Sequence, residues 1–140
     1  MKYIITEHQY KLLLEQDDIL RIPFAAFGNN WEVLQKFLEK RGFPPYEITD
    51  NLDLKYSEIE SLGNLISVGG FLNLYKSIIE DLGNLTSVGG SLTLHTSKIE
   101  SLGNLTSVGG NLYLRDTPLS REYSEDEIRS MVEVEGKIYL

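Results

Sequence analysis

Pairs of leucines separated by one residue return every 20 positions along the chain: Leu52 and Leu54, Leu72 and Leu74, Leu92 and Leu94, Leu112 and Leu114. An apolar side chain at every second position is the mark of a short strand with one buried face. Between the pairs the spacing changes to three. Ile59, Leu62, Leu65 and Val68 follow it, as do Ile79, Leu82, Leu85 and Val88, and Ile99, Leu102, Leu105 and Val108. That period predicts turns, 3₁₀ geometry or polyproline-like backbone on a thin return path, with too few residues for a full helix. Residues 51–110 are thus one 20-residue unit written three times, with a fourth copy beginning at Asn111, and the units from Phe71 and Ser91 differ at six positions. Each unit can bury its apolar face only by stacking on its neighbours, which predicts a solenoid. Equivalent strands then run parallel, about 4.8 Å apart, and the rule for parallel crossovers makes the coil right-handed. Leu52, Leu72, Leu92 and Leu112 are expected to form one interior row.

The flanks do not repeat. Residues 2–5 read as a short strand, and Thr6-Glu7-His8-Gln9 has the form of a capping box opening a helix to about Glu15, with Tyr10, Leu13 and Leu14 on one face. Asp17 and Asp18 interrupt it, and Ile19, Leu20, Ile22, Pro23 and Phe24 read as an apolar connector. A second helix is predicted after Asn30, with Trp31, Leu34, Phe37 and Leu38 on one stripe and Gly42, Pro44 and Pro45 ending it. Residues 1–47 are therefore read as a helical N-terminal cap covering the first strand edge. Ile48-Thr49-Asp50 stands one period before Val68-Gly69-Gly70. Gly-Asn pairs at 63–64, 83–84 and 103–104 and Gly-Gly pairs at 69–70, 89–90 and 109–110 mark corners. Each Asn is expected to bond main chain of its own or the next coil in a buried ladder.

The last seven residues, from Val134 to Leu140, repeat the pattern of residues 88–94, but Leu140 follows Leu114 by 26 positions instead of 20. The surplus fits a helix opened by the capping box Ser124-Glu125-Asp126-Glu127 and running to about Glu133, with Ile128, Met131 and Val132 inward. The expected architecture is an α/β repeat solenoid of about five coils, with a helical N-terminal cap and a helix inserted before the last strand. It would form a single domain over 1–140, divided into a cap (1–47), repeats (48–119) and a terminal helix and strand (120–140).

The unit L-x-L-x-x-S-x-I-x-x-L-G-N-L-x-S-V-G-G resembles a short leucine-rich repeat, with Ser57, Ser77, Ser97 and Thr117 where that family usually has Asn. It is more similar still to the repeats of receptor L domains, with their L-x-S-V-G-G-x-L-x-L run. The resemblance implies a parallel β-stack and leaves the ligand open, because such repeats bind unrelated partners. The two ends of the chain, K-Y-I-I-T-E-x-Q-Y-x-x-L-L and the segment from Asp126 to Leu140, resemble short uncharacterised bacteriophage proteins. That resemblance implies a viral protein, in the host cytoplasm or the virion.

Charge narrows the partners. Lys and Arg number 13 against 21 Asp and Glu, a net −8 in 140 residues, which disfavours nucleic acid and anionic membranes. There is no cysteine, hence no disulfide framework or thiolate site. No apolar run approaches the roughly 18 residues of a membrane span, and Glu7 follows the N-terminus too soon for a signal peptide. A soluble, cytoplasmic protein is expected.

In an L-x-L strand the residues between and beside the leucines point outward. One column is Asp53, Asn73, Thr93, Tyr113 and Tyr139, and the next is Lys55, Tyr75, His95 and Arg115. The repeats diverge here while the core stays fixed, and they gain residue types favoured at binding hot spots. A solvated face, with Tyr present for its strand propensity, is the competing reading. Tyr75, His95, Tyr113, Arg115 and Tyr139 are the candidate partner-binding residues. Glu60, Glu80 and Glu100 would stack as a carboxylate ladder, but the calcium-coil pattern is missing and no metal site is assigned. His8 and His95 lie in different elements, and no phosphate-binding glycine motif occurs, so neither catalytic residues nor a cofactor are expected. The leading expectation is a non-enzymatic module offering its outer strand face to a protein partner. The second is a structural subunit, such as a phage-particle component, self-associating as a homodimer through the open edge at Ile138, Tyr139 and Leu140. The third is an acidic phage-encoded inhibitor of a host protein.

Overall fold

A computed structural model of the chain describes residues 19–140. The strand expected over residues 2–5 and the helix expected over residues 6–15 lie outside the described residues. The segment read as an apolar connector is instead a strand, β1 (Leu20–Ile22), followed by a 3₁₀ turn (Phe24–Phe27). With Leu20 and Ile22 fully buried and Arg21 between them, three residues are too few for the alternation to stand out in sequence. Helix α1 (Trp31–Glu39) begins where expected: the Asn30 side chain accepts from the Val33 N–H at 3.1 Å, satisfying one of the donors a helix start leaves open. It buries Leu34, Phe37 and Leu38, with Trp31 packed at the margin of the core.

Beyond α1 the order is β2 (Tyr46–Ile48), β3 (Leu52–Asp53), β4 (Leu65–Val68), β5 (Leu72–Asn73), β6 (Ser87–Val88), β7 (Leu92–Thr93), β8 (Ser107–Val108) and β9 (Leu112–Tyr113). Then come α2 (Pro118–Glu122), α3 (Glu125–Met131), β10 (Glu133–Val134) and β11 (Ile138–Tyr139). The strands form two stacked sheets, both parallel throughout. The first runs β1-β2-β4-β6-β8-β10 and the second β11-β9-β7-β5-β3. Every repeat contributes one strand to each. In the second sheet Leu52 pairs with Leu72, Leu72 with Leu92, Leu92 with Leu112 and Leu112 with Ile138, forming the interior row expected from the period. Facing it, Ile48, Val68, Val88, Val108 and Val134 form the corresponding row of the first sheet. All ten side chains are buried, and each full burial of this kind is worth about 1.5–3 kcal/mol.

The three-residue spacing thus carries a second sheet as well as turns. Strands of two residues are too short to display period-2 alternation, which is why the return path did not read as strand. Two glycine columns do separate work at the corners. Gly63, Gly83 and Gly103 take φ of 64°, 57° and 58°, the left-handed region. Gly69, Gly89 and Gly109 instead permit close approach: a Cβ at each would meet the main-chain oxygen of Thr49, Gly69 and Gly89 respectively. The asparagines reach back one repeat, Asn64 to Phe43 O at 2.6 Å, Asn84 to Asn64 Oδ1 at 3.2 Å and Asn104 to Gly83 O at 3.1 Å. Asn84 and Asn104 are exposed, so the ladder is a surface one rather than the buried one expected. At the C-terminal end α3 stops at Met131, before the expected Glu133; Ile128 and Val132 are buried, but Met131 is 48% exposed.

Candidate protein-interaction face

The register fixes the outer face of the second sheet. Asp53 pairs with Asn73, Asn73 with Thr93, Thr93 with Tyr113 and Tyr113 with Tyr139. Because the neighbouring leucines point inward, this column points out. Lys55, Tyr75, His95 and Arg115 form the adjacent column, and main-chain bonds keep it in step: Tyr56 N–H donates to Tyr75 O at 2.8 Å, Lys76 to His95 O at 3.1 Å and Thr96 to Arg115 O at 2.9 Å. The donors Tyr56, Lys76 and Thr96, with Asp116, all take left-handed φ, at 60°, 54°, 57° and 57°. β3, β5, β7 and β9 are therefore each followed by the same sharp bend, built from residues that adopt it reluctantly.

Two aromatic groups result. Tyr113 and Tyr139 stack face to face, centroids 4.8 Å apart and planes 4° from parallel, and His95 meets Tyr113 edge-on at 5.1 Å. The Arg115 guanidinium lies 5.4 Å from the Tyr139 ring centre. Asn111 Nδ2 donates to the Tyr113 hydroxyl at 3.1 Å, fixing that ring's tip. The second group is Tyr75, with Tyr56 edge-on at 5.5 Å and Lys76 Nζ 5.5 Å from its ring centre. Contacts of these kinds contribute roughly 0.5–1.5 kcal/mol each, enough to hold the rings in place. Tyr75, His95, Tyr113 and Tyr139 are half-buried and Arg115 is exposed. The five candidates lie on one face, joined by two that the sequence reading missed, Tyr56 (62% exposed) and Lys76. Their signal was present: both directly follow the second column, at equivalent positions one repeat apart.

His95 is held as a neutral ring. Its Nδ1 accepts the Arg115 main-chain N–H at 2.9 Å, which leaves the ring proton on Nε2. Burial lowers its pKa below the usual 6.5, and the Arg115 charge lowers it further, with Asp116 opposing. The face thus offers aromatic edges, phenol hydroxyls, an imidazole donor and a guanidinium, groups that recognise by contact and hydrogen bonding.

The outer face of the first sheet is different in kind. Glu47, Ser67, Ser87, Ser107 and Glu133 share one column, and beside it Gly69, Gly89 and Gly109 floor a shallow groove. Ser67 Oγ donates to Glu47 Oε2 at 2.7 Å. Glu60, Glu80 and Glu100 are exposed, and among the described residues no group of three or more His, Asp or Glu is placed to hold a metal ion.

At the C-terminal end, among the described residues, β11 pairs only with β9. Leu112 and Leu114 donate to Lys137 O and Tyr139 O, at 2.9 and 2.7 Å. Main chain alternates in direction along a strand, so Ile138 and Leu140 face away from β9. Of the residues expected to form the edge, Ile138 is buried, Tyr139 half-buried and Leu140 40% exposed. No described helix is long and apolar enough to cross a membrane. No protein-family model matches the chain, and neither a curated protein nor a solved structure does.

Proposed function

We propose that the chain is a non-enzymatic protein-interaction module, a short leucine-rich-repeat-like, right-handed β-solenoid of about five coils. Its helical elements close the ends, and the outer face of the second sheet meets a protein partner. The observation that carries this reading is the convergence of His95, Tyr113, Tyr139 and Arg115 on that face, mutually packed at 4.8 to 5.4 Å. Rings held this way lose little conformational freedom when a partner arrives, which is the condition for an aromatic hot spot. The matching test compares Tyr113→Ala/Arg115→Ala with Glu60→Gln/Glu80→Gln, a control pair at exposed positions outside this face. The first variant should lose the proteins captured by the unaltered chain and the second should keep them; the lost Tyr113 ring contacts lower the first variant's melting temperature by several degrees, and circular dichroism checks that both variants are folded at the assay temperature. Capture retained by the first variant, or lost equally by both, refutes the proposal.

A second reading is self-association through β11, favoured by an outer side that is unpaired among the described residues. Leu140→Pro removes an outward-facing donor, whereas proline at Tyr139 would remove a bond to β9. Light scattering should show the dimer weakened by Leu140→Pro. A monomer before and after the change rejects this reading.

A further inference from the structure

Each repeat hands two main-chain hydrogen bonds to the one before it at the Gly-Gly corner. In one ladder Gly69 donates to Ile48 O, Gly89 to Val68 O and Gly109 to Val88 O, each at 2.8 Å, and Glu135 to Val108 O at 3.0 Å. In the other Gly90 donates to Gly70 O at 2.9 Å, with Gly110 to Gly90 O and Gly136 to Gly110 O at 3.0 Å. The next acceptors in these two series are Val134 O and Gly136 O, and a further repeat would supply their donors. Arg129 supplies them instead: Nη1 donates to Val134 O and Nη2 to Gly136 O, both at 2.9 Å. Nε donates to Glu125 Oε2 at 3.1 Å.

We propose that Arg129 is a stopper that terminates the first sheet, and that the edge beneath it is a latent docking surface for a second copy of this chain. The fork of a guanidinium places two N–H groups side by side, reproducing the pair of main-chain donors that an added repeat would bring. The lengthened last unit is what carries it: α3 occupies part of the span between Leu114 and Leu140, and Glu125, one turn earlier on the same helix, aims the guanidinium. Sealing matters because an open edge is a template for association. The second copy has matching groups at its own C-terminal end. Each sheet presents outward main-chain N–H and C=O groups at this end, Val134 O and Gly136 O on the first beneath Arg129 and those of Ile138 on the second, so two such ends related by a two-fold axis can pair edge to edge once Arg129 is gone. This inference does not rest on the proposed recognition face.

The test is sedimentation equilibrium on the full chain, with circular dichroism as the check on folding. Arg129→Ala should associate at a concentration about tenfold or more below that of the unaltered chain. Glu125→Gln, which leaves both donors to the carbonyls in place, should not. Arg129→Lys, with one ammonium in place of the fork, should fall between them and decides the matter by the same comparison if the alanine variant loses its fold. Association of Arg129→Ala no stronger than that of the unaltered chain overturns the proposal, as does equal association by Glu125→Gln.

Discussion

Replacing Gly89 with alanine adds one methyl group, and the structure gives it no room. The new Cβ would meet Gly69 O, the main-chain oxygen of the preceding repeat, and ordinary contact needs about 3.4 Å. Backbone cannot rotate away as a side chain would, so the strands must separate locally. Separation stretches the Gly89 N–H bond to Val68 O (2.8 Å) and the Gly90 N–H bond to Gly70 O (2.9 Å), and it disturbs the Gly109 N–H bond to Val88 O on the other side. Overpacking typically costs about 1–3 kcal/mol and each weakened hydrogen bond up to about 1 kcal/mol, so the expected loss is about 2–4 kcal/mol. Gly63→Ala is the internal control. Gly63 has φ of 64° and nothing within 4 Å, so its cost is backbone strain alone, about 1–2 kcal/mol. Urea denaturation at constant slope measures both. The last repeat shows why position matters: Glu135 stands where the inner repeats have Gly69, Gly89 and Gly109, and its bond to Val108 O has lengthened to 3.0 Å. An end strand can shift outward, and Gly89 has neighbours on both sides. A midpoint for Gly89→Ala at or above that of Gly63→Ala refutes the reasoning.

Three further outcomes follow from single side chains. Thr96→Gly should raise stability by about 1 kcal/mol, because a β-branched residue is held at φ of 57°; an unchanged or lower urea midpoint contradicts this. Asn30→Ala should cost about 1 kcal/mol through loss of the α1 cap, and an unaltered midpoint would show the cap to be idle. His95 should titrate below 6.5, read from its Hε1 resonance by NMR. The fold favours the neutral ring, so its contribution is fully present above 6.5 and is lost as pH falls through the lower folded-state value. His95→Ala should accordingly lose less stability than the unaltered chain as pH falls below 6.5, and a midpoint at or above 6.5 refutes the assignment.

The interior leucine rows were legible because the period is exact to the residue and the L-x-L spacing has only one reading as strand. The outer columns follow from the same register, which is why the sequence alone places Tyr75, His95, Tyr113, Arg115 and Tyr139 on one face. What escaped was whatever depended on tertiary pairing. Leu20, Arg21 and Ile22 form a strand only because Tyr46, Glu47 and Ile48 lie beside them. Ser87–Val88 and Ser107–Val108 are strands by their neighbours rather than by any pattern two residues could carry. The bends at Tyr56, Lys76, Thr96 and Asp116 carried no glycine to announce them, so the side chains they turn toward Tyr75 and its neighbours stayed hidden. Arg129 looked like one more charge on a surface helix, since its acceptors lie five and seven residues away in a strand segment and a turn.

The two outer faces differ because different constraints act on them. On the first sheet, Gly69, Gly89 and Gly109 recur because main chain from the adjacent repeat occupies the space a side chain would need, so uniformity there has a structural cause. On the second sheet nothing of the kind restricts the outward positions, and the column passes from Asp53 and Asn73 through Thr93 to Tyr113 and Tyr139. Strand propensity alone accounts for exposed tyrosines one at a time, free in solvent. Instead the last three strands carry rings that pack on one another, with a main-chain donor bound to the imidazole and a guanidinium beside the outermost ring. Large apolar area kept half-exposed brings no core burial in return, so its ordering is better accounted for by what it would meet than by what it supports. The gradient along the column places the proposed contact toward β7, β9 and β11, the end of the molecule that Arg129 keeps from growing further.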